Sequence, residues 1–475
     1  MPKHGVYVSE LGTAVSTPVA VETGIPFVIG LSPVHTADNP AAAGDPILCS
    51  TFNEFVEKFG YSEDWETYNL CEFAYSQFKL YGMAPVIFCN LLAPATMQSA
   101  VAAADKDVSG HKVVLTVKGI DDAGLVVKDK EETPNTLVKD MDYSVYYNED
   151  GKLTVELLST STHYADTQLN IAFNEVTPAS VNATAVATGL EKIELCMSKF
   201  GLVPDLICAP GFSQNSAVAA AMTAKAAGIN GMFPAVAIVD VDTAASGGAD
   251  SYDEVITLKN NNNMTGALEI VCWPLAKLGN KIFHMSTVVA GRIAQTDADF
   301  GAPYASPSNQ SIQIDSLVVA AGTAVNLTLA QANVLNNGGV VTALNFMGGF
   351  RLWGNYTGCY PASTDVKDYF IPIRRMFNWV TCTIIRTFWD RVDMPISRRL
   401  IDSIIDTANI WMNGLTGSGY IFGGRIEYLE EENPDQNIMA GMIKLHVYIT
   451  PPSPMQELDF VLEYDASYVE AALGS

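Results

Sequence analysis

The sequence predicts a multidomain α/β protein, and three observations carry that prediction. Apolar runs of strand length alternate with helix-spaced segments over 20–95 and again from about 183. Between them, 111–175 reads as short alternating strands separated by Gly and Asp turns. Past 363 the texture changes once more, to two helices followed by strands.

Taken in order, 5–10 (Gly-Val-Tyr-Val-Ser-Glu) is a strand-like run close to the chain start, which must find its partner elsewhere. The run 25–31 is continuously apolar and reads as a buried strand. Residues 51–60 and 67–82 have helical spacing, with Gly60 and Gly82 where C-caps fall. A second buried strand follows at 86–92. In the middle region the predicted strands are 112–117, 125–128, 143–147 and 153–157, with a hairpin turn at 148–151. Beyond it come a helix at 185–200, a strand at 206–208, an Ala-rich helix at 216–227, strands at 235–241 and 270–273, and a helix at 285–295. Alternation of this kind builds a sheet with helices on its faces. The last part holds helices at 373–392 and 395–413, the second closed by Gly414, then strands at 425–429 and 442–449. Pro451, Pro452 and Pro454 break the pattern before a final strand, 459–464, with Phe460, Leu462 and Tyr464 on one face.

The resulting division is an N-terminal arm at 1–20, an α/β core at 21–95 and 183–362, an inserted β domain at 96–182, a C-terminal α+β domain at 363–450, and a C-terminal arm at 451–475. The chain has 475 residues, 48% hydrophobic and only 17% charged, so cores are easily filled and apolar surface is left for neighbours to cover. A net charge of −25 argues against nucleic acid as a partner, because phosphate contacts need clustered Lys and Arg. No apolar run reaches about 18 residues, so no membrane insertion is expected. The start lacks the apolar segment of a signal peptide, which places synthesis and folding in a cytosol.

Sites of chemistry are not evident. The eight cysteines show no CxxC pair and read as buried hydrophobes; the six histidines show neither HxH nor HExxH spacing; no P-loop exists. No metal or other cofactor is expected. The segment 414–419 is Gly-rich but follows a helix and precedes a strand, the reverse of a nucleotide loop. Gly211-Phe-Ser-Gln-Asn215 lacks the second Gly of a nucleophile elbow, so Ser213 and Asn215 read as caps of the next helix. Asp240, Asp242 and Asp253 read as a solvated loop. A basic cluster, Arg374, Arg375, Arg386, Arg391, Arg398 and Arg399, stands out in this acidic chain and suggests charge complementarity to a partner. Its competing reading is a solvated helix face with local pairs such as Arg398 with Asp402. An α/β hydrolase-like enzyme with a β insert remains an alternative, without a convincing catalytic set. A surface adhesion or S-layer protein is a second, disfavoured by the absent signal peptide.

The order of motifs resembles the contractile tail sheath family. Gly5–Glu10, Thr17-Pro18-Val19 and 25–31 match its opening. Residues 289–297 (Val-Ala-Gly-Arg-Ile-Ala-Gln-Thr-Asp), then Gly301, Pro303 and Pro307-Ser308-Asn309, resemble its central stretch. Leu335 to Gly339 and Arg351 to Asn355 resemble the next. Arg374-Arg375, Gly441 and Pro451 to Pro454 complete it. The Gly338-Gly339 pair departs from the Gly-Ile-Asn triplet of many relatives. The resemblance implies a subtilisin-like α/β core without protease chemistry, an outward β-sandwich insert, and a C-terminal domain near an inner tube. It implies a helical homo-oligomer of hexameric rings that contracts without nucleotide and drives the tube through a target cell envelope. The implied partners are the inner tail tube protein and baseplate and terminator proteins, assembled in a bacterial cytoplasm into a virion tail or a released phage-tail-like particle. It further implies arm strands that add to a neighbour's sheet: Val6, Tyr7, Val8, Phe460, Val461, Leu462 and Tyr464 as donors, Ile426, Tyr428, Leu445 and Val447 as acceptors. Arg398, Arg399, Asp402 and Asp406 are the expected tube or subunit contact.

Overall fold

The computed structural model describes residues 22–131, 134–148, 151–465 and 467–473. The predicted strand at 5–10, with Val6, Tyr7 and Val8, lies outside them.

Strand β1 (Pro26–Gly30) is buried at every residue. A short strand β2 (Ile47–Cys49) precedes helix α1 (Phe52–Phe59), whose Thr51 side chain accepts from the Glu54 amide and whose Gly60 takes φ 68° at the C-cap. The helix predicted at 67–82 is two pieces, α2 (Asn69–Ala74) and a π-helical turn Tyr75–Tyr81. The turn presents the Tyr81 ring to Gly291, where any Cβ would meet that ring at 2.2 Å. Strand β3 (Val86–Asn90) returns to the sheet.

The chain then leaves for six strands: β4 (Gln98–Asp107), β5 (Lys112–Lys118), β6 (Ile120–Asp129), β7 (Tyr143–Tyr147), β8 (Lys152–Leu157) and β9 (Gln168–Val176). Two three-stranded antiparallel sheets, β4-β9-β6 and β5-β8-β7, share a core of their own built around Ile120, Tyr143, Val155, Ile171 and Phe173. Sequence reading missed β4 and β9, because β4 carries mostly Ala, Asp and Lys and few strand-forming residues.

Back in the α/β part, the predicted helix 185–200 is α3 (Ala183–Gly189), a 3₁₀ segment Leu190–Glu194 and α4 (Leu195–Phe200). Then follow β10 (Leu206–Cys208), α5 (Ser216–Ala226), β11 (Val236–Asp240), α6 (Tyr252–Asn261) and β12 (Glu269–Cys272). A small sheet of β13 (Leu275–Leu278), β14 (Lys281–Phe283), β15 (Ser316–Val318) and β16 (Ala324–Val325) flanks the long helix α7 (Met285–Phe300). Helix α8 (Leu329–Asn337) opens on a capping box of Thr328 and Gln331. It leads to β17 (Val340–Asn345) and β18 (Phe350–Trp353). The main sheet runs β18-β17-β12-β11-β10-β1-β3-β2, with a parallel centre and antiparallel outermost pairs. Its central strands are buried on both faces, which is why they read as unbroken apolar runs.

The last part starts with α9 (Val366–Tyr369) and α10 (Ile371–Phe388), which carries Pro372 in its first turn, where the missing N–H goes unmissed. Helix α11 (Arg398–Gly417) starts on the Ser397 cap and passes through Gly414, because Leu415 is buried and holds a further turn. Strands β19 (Gly423–Glu427) and β20 (His446–Thr450) form a two-stranded antiparallel sheet. A short helix α12 (Asp435–Met439) lies between them and α13 (Ser467–Leu473) ends the described chain. This part shares the main core through Met376, Trp379, Met412 and Ile426. The predicted final strand 459–464 pairs with no strand among the described residues.

Candidate assembly interface

Helix α11 carries one apolar stripe and one polar face. Ile401, Ala408, Met412 and Leu415 are buried, and Trp411 meets Trp379 of α10 with ring centroids 5.7 Å apart. Arg398, Arg399 and Asp406 are exposed and Asp402 is half-buried; Arg398 Nε donates to Asp402 at 3.0 Å. Four residues of expected contact thus share one surface, two of them already paired across a helical turn.

The wider arginine cluster does not form a face. Arg375 is buried, donating to Asp297 at 2.7 Å and 2.5 Å and to Asp205 at 2.7 Å. Burial opposes its charge, and Asp297 and then Asp205 outweigh that and hold the guanidinium ionised. Thr23 joins the same cluster by hydrogen-bonding Asp297, and the Ile25 amide donates to Asp205 at 2.7 Å. Arg375 therefore ties α10, α7 and the entry to β1 into one joint. Arg374 pairs with Asp368 and Arg391 with its neighbour Asp390. These groups are close in sequence, but Arg374 and Arg375 face different sides of α10 and Arg391 lies in the turn beyond its end.

Of the residues expected as acceptors, Ile426 and Val447 lie in the two-stranded sheet and Tyr428 and Leu445 at its end. Ile426 stands opposite Val447; Tyr428 and Leu445 lie just past the last registered pair, Glu427 with His446. Ile426 is buried and Val447 exposed. The donor candidates at the chain end are bare: Phe460 is 76% exposed and Leu462 95%, with Val461 and Tyr464 similar. Preceding them, Pro452 to Gln456 lie along a cleft of about 520 Å³ against Tyr304, Ser308, Asn309 and Trp353.

The carboxyl ends of the parallel strands hold a different cluster, which sequence reading misplaced. Asp240 is buried, not in a solvated loop. It accepts from Ser213 Oγ at 2.9 Å, Ser286 Oγ at 2.5 Å and the Ser286 amide at 2.8 Å. Ser213 is thus occupied with Asp240, and the cap of α5 is Asn215 alone. His284 bonds Glu72 through Nδ1 at 2.8 Å. Burial alone would lower the pKa of His284; Glu72 and Asp240 outweigh it and raise it to about 9. The imidazolium is a structural ion-pair partner, and Ser213 is bound to a carboxylate rather than to a base. All eight cysteines are buried and free, as their apolar surroundings imply. Among the described residues no helix is long and apolar enough to cross a membrane.

Comparison with known proteins follows this architecture. The family model for the phage tail sheath protein central domain matches 179–357, from the return out of the insert through β18. The tail sheath protein of Burkholderia phage BcepMu is 23% identical over 98% of this chain and 97% of its own length. A putative prophage major tail sheath protein of Pseudomonas aeruginosa is 25% identical over 62% of this chain and 73% of its own. Among solved structures, the sheath complex of an extracellular contractile injection system, PVC, in its contracted state superposes with a TM-score of 0.60 at 14% identity, covering 98% of this chain and 99% of that one. A chain of the anti-feeding prophage baseplate gives 0.59 at 15% identity, covering 98% and 99%. The similarity covers 98% of this chain, through the core, the six-stranded insert and the two-stranded C-terminal sheet, and every one of these relatives is a sheath protein or part of a contractile particle.

Proposed function

We propose that the chain polymerises as a helical sheath around an inner tube and, by contracting without nucleotide, drives that tube through a target cell envelope. The chain is a structural subunit and not an enzyme. The observation that carries the reading is the pairing of an undersized sheet with a bare apolar tail in a chain that matches sheath proteins end to end. Two strands alone are marginally stable, and β19 and β20 lean on α11 for support. A strand donated by a neighbour enlarges that sheet and links subunits through main-chain hydrogen bonds. Such links keep rows of subunits connected while they slide and rotate.

In this reading 1–20 and 451–475 are arms, 21–95 with 183–362 is a subtilisin-like core, 96–182 is an outward β-sandwich, and 363–450 faces the tube. Support for the insert as a separate unit is its own hydrophobic core. Support for 363–450 as the inner face is the exposed polar side of α11. Subunits form hexameric rings, meet a baseplate and a terminator at the two ends, and assemble in the bacterial cytoplasm. The particle is a virion tail or a released phage-tail-like particle. Negative-stain electron microscopy of the protein, alone and co-expressed with its tube protein, tests this. Long hollow tubes with helical striations are expected. Dispersed small particles in both preparations would overturn the reading.

A further inference from the structure

We propose that the apolar hairpin tip Phe346-Met347 of one copy seats in the hollow beside Trp389 of a second copy, so that one core links head to tail with the next. The proposal rests on the sheath reading above and adds a contact between cores that needs no arm.

The tip comes from the turn between β17 and β18. Residues 340–344 of β17 are buried, and the chain emerges at Asn345. The turn closes through Gly348 and Gly349, with φ 75° and 120°, and the Gly349 amide donates to the Asn345 side chain at 3.3 Å. Asn345 and the two glycines carry the turn, yet Phe346 is 59% exposed and Met347 73%. Charge singles out the same region. The chain has 52 acidic residues and a net charge of −25, and none of those acids lies from Ser316 to Thr364. Copies this acidic repel one another over most of their surface, so they meet most easily where acids are missing.

The hollow has a volume of about 440 Å³, and its lining includes Met197, Met232, Phe233, Ile385, Arg386 and Trp389. Its one charged side chain is the cation Arg386, which has no carboxylate partner among the described residues. Methionine, aromatic rings and arginine are the residues that protein interfaces favour. Trp389 and Met232 are both exposed at its rim, apolar surface that the Phe346 and Met347 side chains of a neighbour would cover.

Position decides the occupant. Strands β10, β11, β12 and β17 run parallel. The tip follows β17, so it lies at their carboxyl ends. Phe233 precedes β11, and Cys382 Sγ of α10 donates to the Pro234 carbonyl at 3.7 Å, so the hollow lies at the amino ends. A strand length, roughly 20 Å, separates the two, and a chain cannot seat its own tip. A second copy shifted along the strand direction can. Because tip and hollow are different surfaces, the contact is head to tail and repeats into an open row, as a helix needs. Two side chains cover far less than the ~800 Å² per partner of a stable complex, so a free protein would not stay bound there. A copy already held in a lattice would.

Cysteine cross-linking reads the contact, because all eight native cysteines are buried. A chain with both Met347→Cys and Met232→Cys, treated with a short bismaleimide in tubes, is expected to give a ladder of dimers, trimers and higher species. Each single variant should stay monomeric. Tubes without a ladder overturn the proposal and leave the sheath reading standing. Dimers from Met347→Cys alone overturn it too, since the tip would then meet another tip. If the unmodified chain forms no tubes, the double variant cross-linked at the same concentration decides. A ladder then keeps the contact without the sheath, and monomer overturns both. A charge pair gives an independent readout. Met347→Lys brings a like charge to Arg386 and should raise the protein concentration needed for tubes by roughly tenfold, and Arg386→Glu in the same chain should restore it. The melting of the Met347→Lys monomer should not change, because Phe346 and Met347 belong to neither core. Tubes at an unchanged concentration from Met347→Lys, or no rescue by Arg386→Glu, would sink the contact.

Discussion

Two buried ionic groups decide how this molecule responds to single substitutions. Arg375 neutralises Asp297 and Asp205 inside the joint between α7, α10 and the start of β1. Removing the cation while leaving both carboxylates is expected to destabilise the chain by about 3–5 kcal/mol, the usual scale for breaking a buried pair. Denaturant unfolding of Arg375→Met checks this, and a loss below about 1 kcal/mol would show that the joint is held by packing instead. His284 gives a pH signature. Its pKa is raised from 6.5 to about 9 by Glu72 and Asp240 against the opposing effect of burial. The stabilisation is complete below pH 6.5 and is lost as pH rises through 9. Melting temperatures across that window should fall, and Glu72→Gln should flatten the slope. An unchanged slope in Glu72→Gln would assign the fall to other groups. Neither site was legible in the sequence. Arg375 meets Asp205 across 170 positions, and nothing local distinguishes it from the exposed Arg398. Ser213 and Asp240 likewise looked like a cap and a loop acid, because a hydrogen bond spanning 27 residues leaves no periodicity to read.

At the scale of elements, legibility followed burial. Strands buried on both faces, such as β1, β3 and β11, are legible because their runs are apolar up to the last residue, which is Asn90 in β3 and Asp240 in β11. Strand β4 was missed because most of its residues are exposed and its pattern is set by pairing with β9. The stripe of helix α11 is legible in the sequence, but Gly414 suggests an end one turn early, and the buried Leu415 carries the helix on to Gly417. The run 459–464 has strand alternation but forms no strand among the described residues, and in the proposed sheath that alternation would serve the assembly. The polar face of α11 belongs to the same argument. Arg398 and Arg399 are exposed, and an exposed Arg398–Asp402 pair is worth at most about 1 kcal/mol. Arg398→Glu with Arg399→Glu should leave the monomer's unfolding nearly unchanged and weaken assembly on tubes. Co-sedimentation with preformed tubes measures it, and normal sedimentation would remove this face from the tube contact.

In the proposed sheath, folding and assembly would use different residues of the molecule. One core spans the main sheet and the C-terminal helices, a second lies within the six-stranded insert, and the tail beyond 455 belongs to neither. Its large apolar side chains, Met455, Leu458, Phe460, Val461 and Leu462, face water in the single chain. Contiguous apolar exposure of that kind marks a surface meant for a partner. Deleting 455–475 should therefore leave a soluble, cooperatively folded monomer that melts at the full-length temperature, since no buried contact of either core is lost. The same chain should form no contractile tubes, alone or with the tube protein, because each subunit would lack the strand it gives to its neighbour. Calorimetry of the monomer and electron microscopy of the assembly separate the two effects. A lowered melting temperature would mean that the tail folds back onto its own subunit. Tubes with full-length striation would mean that the lattice is held by surfaces other than the exchanged strand, and the mesh would then have to be sought on the faces of the core.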